Sequence, residues 1–175
     1  MVPGEGPQPA RGMIVGEAPG FKEVELGRPF VGRSGKLLDS VLRGCGVDRA
    51  QVYVTNVVKE MPLDGEGKIR RPYQVEIGLW SDILTGEIEA TAPQSILALG
   101  RTAVGALTGL PSGEVPFGSK IGNVYTAWHP SYLLHKGMGK PLAHWTASDE
   151  ALDTQEDWYI QVRAWAETLW EGVDE

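Results

Sequence analysis

The sequence predicts an α/β fold, a three-layer αβα sandwich around a central four-stranded, mostly parallel sheet. Two observations carry this. Four short apolar runs alternate with segments whose apolar residues recur at helical spacing, in the order βαβαβαβα, and each run is bounded by glycine or proline rather than continued. With 175 residues and 42% hydrophobic composition, one domain over residues 1–175 can bury a proper core.

Met13–Val15 is the first strand, broken by Gly16, Pro19 and Gly20. Gly16-Glu-Ala-Pro-Gly20 and Gly27-Arg-Pro-Phe-Val-Gly32 read as a loop that carries Glu17 and Phe30. Ser34 is the expected N-cap of a helix whose face is Leu37, Leu38, Val41 and Leu42, stopped by Gly44 and Gly46. Val52–Val58 is β-branched and forms the second strand, with Asn56 at or near its carboxyl end. After a glycine- and charge-rich loop over 61–71, Pro72 opens a helix with Val75, Leu79, Ile83 and Ile88 on its apolar face. Gln94–Gly100 is the third strand, and the short helix from Arg101 to Leu107 offers its first N–H groups to an anion. Ile121–Trp128 is the fourth strand, ending at His129-Pro130-Ser131. Trp158, Val162, Trp165 and Leu169 mark a closing amphipathic helix, and residues 137–153 carry the weakest pattern.

A formal net charge of −7 runs against binding that rests on broad phosphate neutralisation. Yet Arg28, Arg33 and Lys36 cluster near the first loop, and Lys68, Arg70 and Arg71 form a second group, which leaves room for a basic face. The single Cys45 excludes an internal disulfide and an all-cysteine metal site built from this chain, and three irregularly flanked histidines do not read as a zinc site. No apolar run is long enough to cross a bilayer, and the amino terminus lacks the basic and apolar parts of a signal peptide, so no membrane partner and a cytoplasmic location are expected, in a bacterial cell or a phage-infected host.

In open α/β sheets ligands bind outside the carboxyl ends of the strands. Three such ends carry chemistry here: Glu17 with Phe30, Asn56, and His129-Pro130-Ser131. Singly, these are a solvated turn acid, a core ring, a strand-end cap and a structural histidine; their convergence is what points to a site. The motifs Gly16–Gly20, Gly27–Gly32, Tyr53-Val-Thr-Asn-Val-Val-Lys59, Leu97-Ala-Leu-Gly100 and His129-Pro-Ser-Tyr-Leu-Leu134, in this order, resemble the uracil-DNA glycosylase superfamily and specifically its family 4 branch, over roughly residues 13 to 135. The resemblance implies a monofunctional, monomeric enzyme that hydrolyses the N-glycosidic bond of flipped-out uracil in single- or double-stranded DNA, and the single cysteine makes a cofactor-free one the expectation. It implies that Phe30 stacks on the base while Gly16 offers bare backbone. Asn56 would accept from uracil N3–H and donate to O4, a polarity that cytosine inverts. His129 would donate to O2, and Glu17 would orient water or stabilise the sugar cation, as the catalytic pair. Gly100, Arg101, Thr102 and Ser131 would grip flanking phosphates, and Tyr132, Leu133 and Leu134 are the candidates for the wedge that enters the duplex gap.

Family 4 enzymes usually carry a four-cysteine iron–sulfur cluster, with two ligands before the first motif and two after the Asn-bearing strand. Glu60 and Gly78 stand about where the last two are expected, and Cys45 matches none. An iron-free protein is therefore expected, with the 60–78 segment held by apolar packing of Met61, Tyr73 and Trp80. Gly67-Lys-Ile-Arg-Arg-Pro-Tyr73 has the arginines of a covalent uracil-trapping branch without its histidine, so no covalent adduct is expected. Two other readings stay open: a catalytically silent DNA-binding or polymerase-accessory module of the same fold, and a glycosylase for another deaminated or modified base.

Overall fold

A computed structural model describes residues 1–135 and 149–170, so most of the weakly patterned 137–153 stretch lies outside the described residues. The four predicted strands are present as β1 (Gly12–Gly16), β2 (Tyr53–Asn56), β3 (Ser95–Leu99) and β5 (Val124–Ala127), all parallel. A fifth strand, β4 (Lys120–Ile121), pairs antiparallel with β5 and gives the order β2-β1-β3-β5-β4. The run from Ile121 to Trp128 therefore splits. Ile121 pairs directly with Val124, and the intervening Gly122-Asn123 is a two-residue hairpin turn.

Both faces of the sheet are covered, which is why its strands read as unbroken apolar runs. Ile14, Val54, Leu97 and Leu99 face α2 (Arg33–Gly44) and α6 (Asp149–Glu167), which contribute Leu38, Val41, Leu42, Trp158, Val162 and Trp165. Met13, Val15, Ile96 and Ala98 face the other way, onto Leu84 of α3 (Gln74–Thr91) and Ala103 and Val104 of α4 (Arg101–Thr108). Two short helices border the strand ends: α1 (Phe21–Leu26), inside the stretch read as loop, and α5 (Pro130–His135), directly after His129.

Three expectations about local structure change. The α2 helix begins at Arg33 with Gly32 as its cap, so Ser34 lies in the first turn and does not cap it. The α3 helix is apolar on two sides, and the side with the larger residues wins the core: Trp80, Leu84, Ile77 and Ile88 pack inward, while Val75, Leu79 and Ile83 are exposed. The segment after β2 is held mainly by polar contacts. Tyr73 is exposed with the Arg70 guanidinium 3.8 Å above its ring, and Arg70 forks onto Glu76 at 2.7 and 2.8 Å. The Asp64 carboxylate accepts from the Glu66 and Lys68 backbone N–H groups at 2.9 Å each, and only Trp80 of the three expected residues packs against the core. Among the described residues no helix is long and apolar enough to cross a membrane.

Candidate active site

The carboxyl ends of β1, β2, β3 and β5 open onto a cavity of about 750 Å³ whose lining includes Glu17, Phe30, Asn56, Gly100, His129 and Ser131. The sheet register sets Gly16 beside Asn56. A Cβ at Gly16 would fall 2.4 Å from Asn56 Oδ1 and 2.4 Å from the Phe30 ring, so only glycine lets these two side chains meet over the strand end. Asn56 is 3% exposed, and its Oδ1 has no hydrogen-bond partner. A buried acceptor left without a donor costs about 1–3 kcal/mol, which a ligand N–H would return.

Beneath Asn56 lies a fully buried lysine. Lys59 Nζ donates to Asn56 O at 2.5 Å, to Thr55 Oγ1 at 2.7 Å and to Glu87 Oε2 at 2.6 Å, so all three of its protons are placed. Burial pushes the Lys59 ammonium below its usual range, and the Glu87 carboxylate opposes that shift. Phe30 is buried with φ +51, a left-handed conformation rare for a bulky residue, and its ring centre lies 5.8 Å from that of His129.

His129 is partly buried at the entrance to α5. The Ser131 backbone N–H donates to its Nδ1 at 3.1 Å, and the Ser131 hydroxyl lies 2.7 Å from the same nitrogen. A backbone N–H can only donate, so Nδ1 is an acceptor and the neutral ring carries its proton on Nε2. Desolvation lowers the imidazole pKa to about 4 despite the opposing charge of Glu23, which keeps the ring neutral at physiological pH. Across the cavity, the Thr102 hydroxyl donates to Glu17 Oε2 at 2.5 Å and fixes the carboxylate.

Several assigned roles are revised by these contacts. The Thr102 hydroxyl is engaged by Glu17, and Ser131 by His129. Gly100 and Arg101 do line the cavity, with the Arg101 guanidinium donating to the Ser112 carbonyl and lying 5.4 Å from the Phe117 ring centre. Tyr132 is exposed on the rim and stacks on Trp128, which stacks on Phe117. Leu133 is 1% exposed and belongs to the core, because the helical phase of α5 turns it inward; it cannot serve as a DNA contact or a wedge. Sequence reasoning missed Phe117, Trp128, Glu23 and Arg49. Only Glu23 had a local signal, three residues after Gly20, whose N–H it accepts at 3.1 Å.

A family model described as the uracil DNA glycosylase superfamily matches residues 3–152. The chain belongs to this superfamily. Its relatives place it on the family 4 side. The Type-4 uracil-DNA glycosylase of Thermotoga maritima is 38% identical over 143 residues, covering 77% of this chain and 71% of that protein. That of Pyrobaculum aerophilum is 44% identical over 123 residues, 70% of this chain and 59% of that protein, and that of Archaeoglobus fulgidus 36% identical over 148 residues, 77% and 72%.

The cluster implied by the family 4 resemblance needs four thiolates. The superfamily fold here offers one, Cys45, half-buried at the end of α2, its thiol pushed up by burial. Among the described residues no three His, Cys, Asp or Glu side chains converge on a metal position. The residues present do not fit a cluster.

Proposed function

We propose that this chain is a monomeric, monofunctional uracil-DNA glycosylase of the family 4 type, cleaving the N-glycosidic bond of uracil flipped out of single- or double-stranded DNA and leaving an abasic site. The observation that carries this is the buried, unpartnered Asn56 Oδ1, set against Phe30 at the bottom of a cavity that also holds a neutral imidazole donor. Uracil N3–H supplies the missing donor, and cytosine, with an acceptor at N3, would leave Asn56 Oδ1 facing a lone pair.

In the reaction a water oxygen bonds to C1′ as the C1′–N1 bond breaks. The electron pair of that bond stays with the departing uracil, whose negative charge spreads to O2 and meets the Nε2–H of His129. A neutral donor serves here because the hydrogen bond strengthens as the charge develops. Glu17, held by Thr102, orients the water, takes up its proton and faces the cationic sugar on this reading. Arg101, at the start of α4, meets a flanking phosphate, whereas the Gly100 N–H is taken by the Ala127 carbonyl at 2.8 Å.

The test is incubation of purified protein with a uracil-containing oligonucleotide, followed by alkali, in both strand states and beside thymine, hypoxanthine and xanthine controls. Uracil-dependent breakage is expected, with Glu17→Ala and His129→Ala each losing about 10²-fold or more in rate. Robust cleavage by both variants refutes the assigned roles, and equal binding of uracil and thymine strands without cleavage supports a silent DNA-binding module instead.

A further inference from the structure

We infer that Arg49 and Glu23 are positioning residues that clamp the Phe30 backbone from both sides, so that its ring is set as a stacking surface before a base arrives. This rests on reading the cavity as a uracil site.

Phe30 does not hold its conformation by its own preference. A bulky residue at positive φ persists only where its surroundings over-determine it. One backbone group on each of four consecutive residues, Pro29 to Gly32, is tied down by a charged side chain. On the carbonyl side, Arg49 Nη2 donates to Pro29 O at 2.5 Å and Nη1 to Phe30 O at 2.8 Å. On the amide side, Glu23 Oε1 accepts from the Val31 N–H at 2.9 Å and the Gly32 N–H at 2.6 Å, while its Oε2 holds Gly20. Both side chains come from outside the Phe30 turn, Arg49 from a 3₁₀ turn (Arg49–Gln51) before β2 and Glu23 from α1.

The Arg49 fork is itself oriented. Its guanidinium also meets Asp39 at 2.9 Å and Glu5 at 3.3 Å, and Glu5 in turn receives the fork of Arg28 at 2.7 and 3.0 Å. Below the turn, a Cβ at Gly35 would fall 1.8 Å from Phe30 O, so α2 approaches as closely as glycine allows and leaves the turn no room to relax downward. Releasing either charged side chain frees the turn to return to a negative φ and carries the ring away from Gly16 and Asn56. Because base–aromatic stacking is worth about 1–3 kcal/mol, the loss should be visible in affinity for the base itself.

The experiment is inhibition by free uracil, measured for Arg49→Met, Arg49→Lys and Glu23→Ala in the wild-type and in the Phe30→Ala background, with KM, kcat and Tm alongside. Each single variant is expected to weaken uracil inhibition about tenfold. In the Phe30→Ala background, with no ring to place, each should add less than about twofold. Arg49→Lys keeps the ion pairs but not the two-pronged grip on the carbonyls, so it falls with Arg49→Met. Equal losses in both backgrounds, or uracil inhibition unchanged in the single variants, overturn the inference, whatever happens to Tm. Wild-type release of uracil from DNA is the control for the underlying reading. If it fails, that reading falls, and hydrogen exchange at the Val31 and Gly32 amides still decides the clamp: faster exchange in Glu23→Ala supports it, and unchanged exchange overturns it.

Discussion

The depressed His129 pKa ties the chemistry of the cavity to the stability of the fold. Well above the ordinary histidine pKa of about 6.5 the imidazole is neutral in both the folded and the unfolded chain, and it contributes no pH dependence. As pH falls from there towards 4, the unfolded chain takes up a proton that the folded cavity refuses until its pKa of about 4 is reached. Folding therefore loses stability across that window. A difference of about 2.5 pH units corresponds to roughly 3 kcal/mol, a ceiling because the ring is only partly buried and lines an open cavity. Urea unfolding at pH 7.5, 5.5 and 4.5 should show this loss in the wild-type protein and a smaller one in His129→Asn, the difference belonging to this ring. The imidazole Cε1–H resonances report the titration directly. With three histidines in the chain, the one that His129→Asn removes should still be in its neutral form at pH 5.5. A His129 midpoint near 6.5 would refute the desolvation argument, and with it the neutral Nε2–H donor as the form working at the acid end of the rate profile.

Three further outcomes follow from packing. Gly16→Ala pushes a methyl group into both Asn56 Oδ1 and the Phe30 ring, each 2.4 Å from its Cβ, so kcat/KM should fall by about 10²-fold while stability drops by about 1–3 kcal/mol; activity within threefold of wild type would show that the two side chains do not have to meet there. Lys59→Met leaves the partly buried Glu87 carboxylate without its cation and should cost about 3 kcal/mol by urea unfolding, most of it recovered when Glu87→Leu is added. Leu84→Ala should cost about 2–5 kcal/mol and Leu79→Ala less than about 0.5 kcal/mol, and thermal melts of the two variants check which face of α3 is inside.

The parallel strands were legible because burial on both faces removes the need for alternation and leaves continuous apolar runs between breakers. Since strand ends are also where ligands bind, Glu17, Asn56 and His129 could be placed at one edge from their positions alone. What stayed hidden is what periodicity does not encode. On α3 two apolar stripes compete, and only the bulk of Trp80 and Leu84 against the sheet decides between them. The inward turn of Leu133 depends on where α5 starts, which Pro130 sets only once the β5 end is known. The left-handed Phe30 has no compositional signal, and its restraints reach from Glu23, eight and nine residues before Val31 and Gly32, and from Arg49, nineteen residues after Phe30.

Asn56 and Phe30 share a support at the amino-terminal segment. Asn56 is held through its carbonyl by Lys59, Lys59 by Glu87, and Glu87 Oε1 accepts the Gly4 N–H at 3.1 Å. Phe30 is held through its carbonyl by Arg49, and Arg49 reaches Glu5. The segment itself is seated by the Val2 N–H on Lys59 O at 2.7 Å and by the Glu5 bridge to Val54. A metal cluster with ligands before the first motif and after the Asn-bearing strand would tie together much the same stretches of chain. Here partly buried, charge-assisted hydrogen bonds make that connection, and the last bond of each chain ends on a backbone carbonyl, that of Asn56 or of Phe30, whose side chain lines the cavity. Interactions of this kind gain strength from low local polarity and lose it steeply when one partner is removed. How firmly Asn56 and Phe30 are held is therefore an electrostatic property, set by Lys59, Glu87, Arg49 and Glu5.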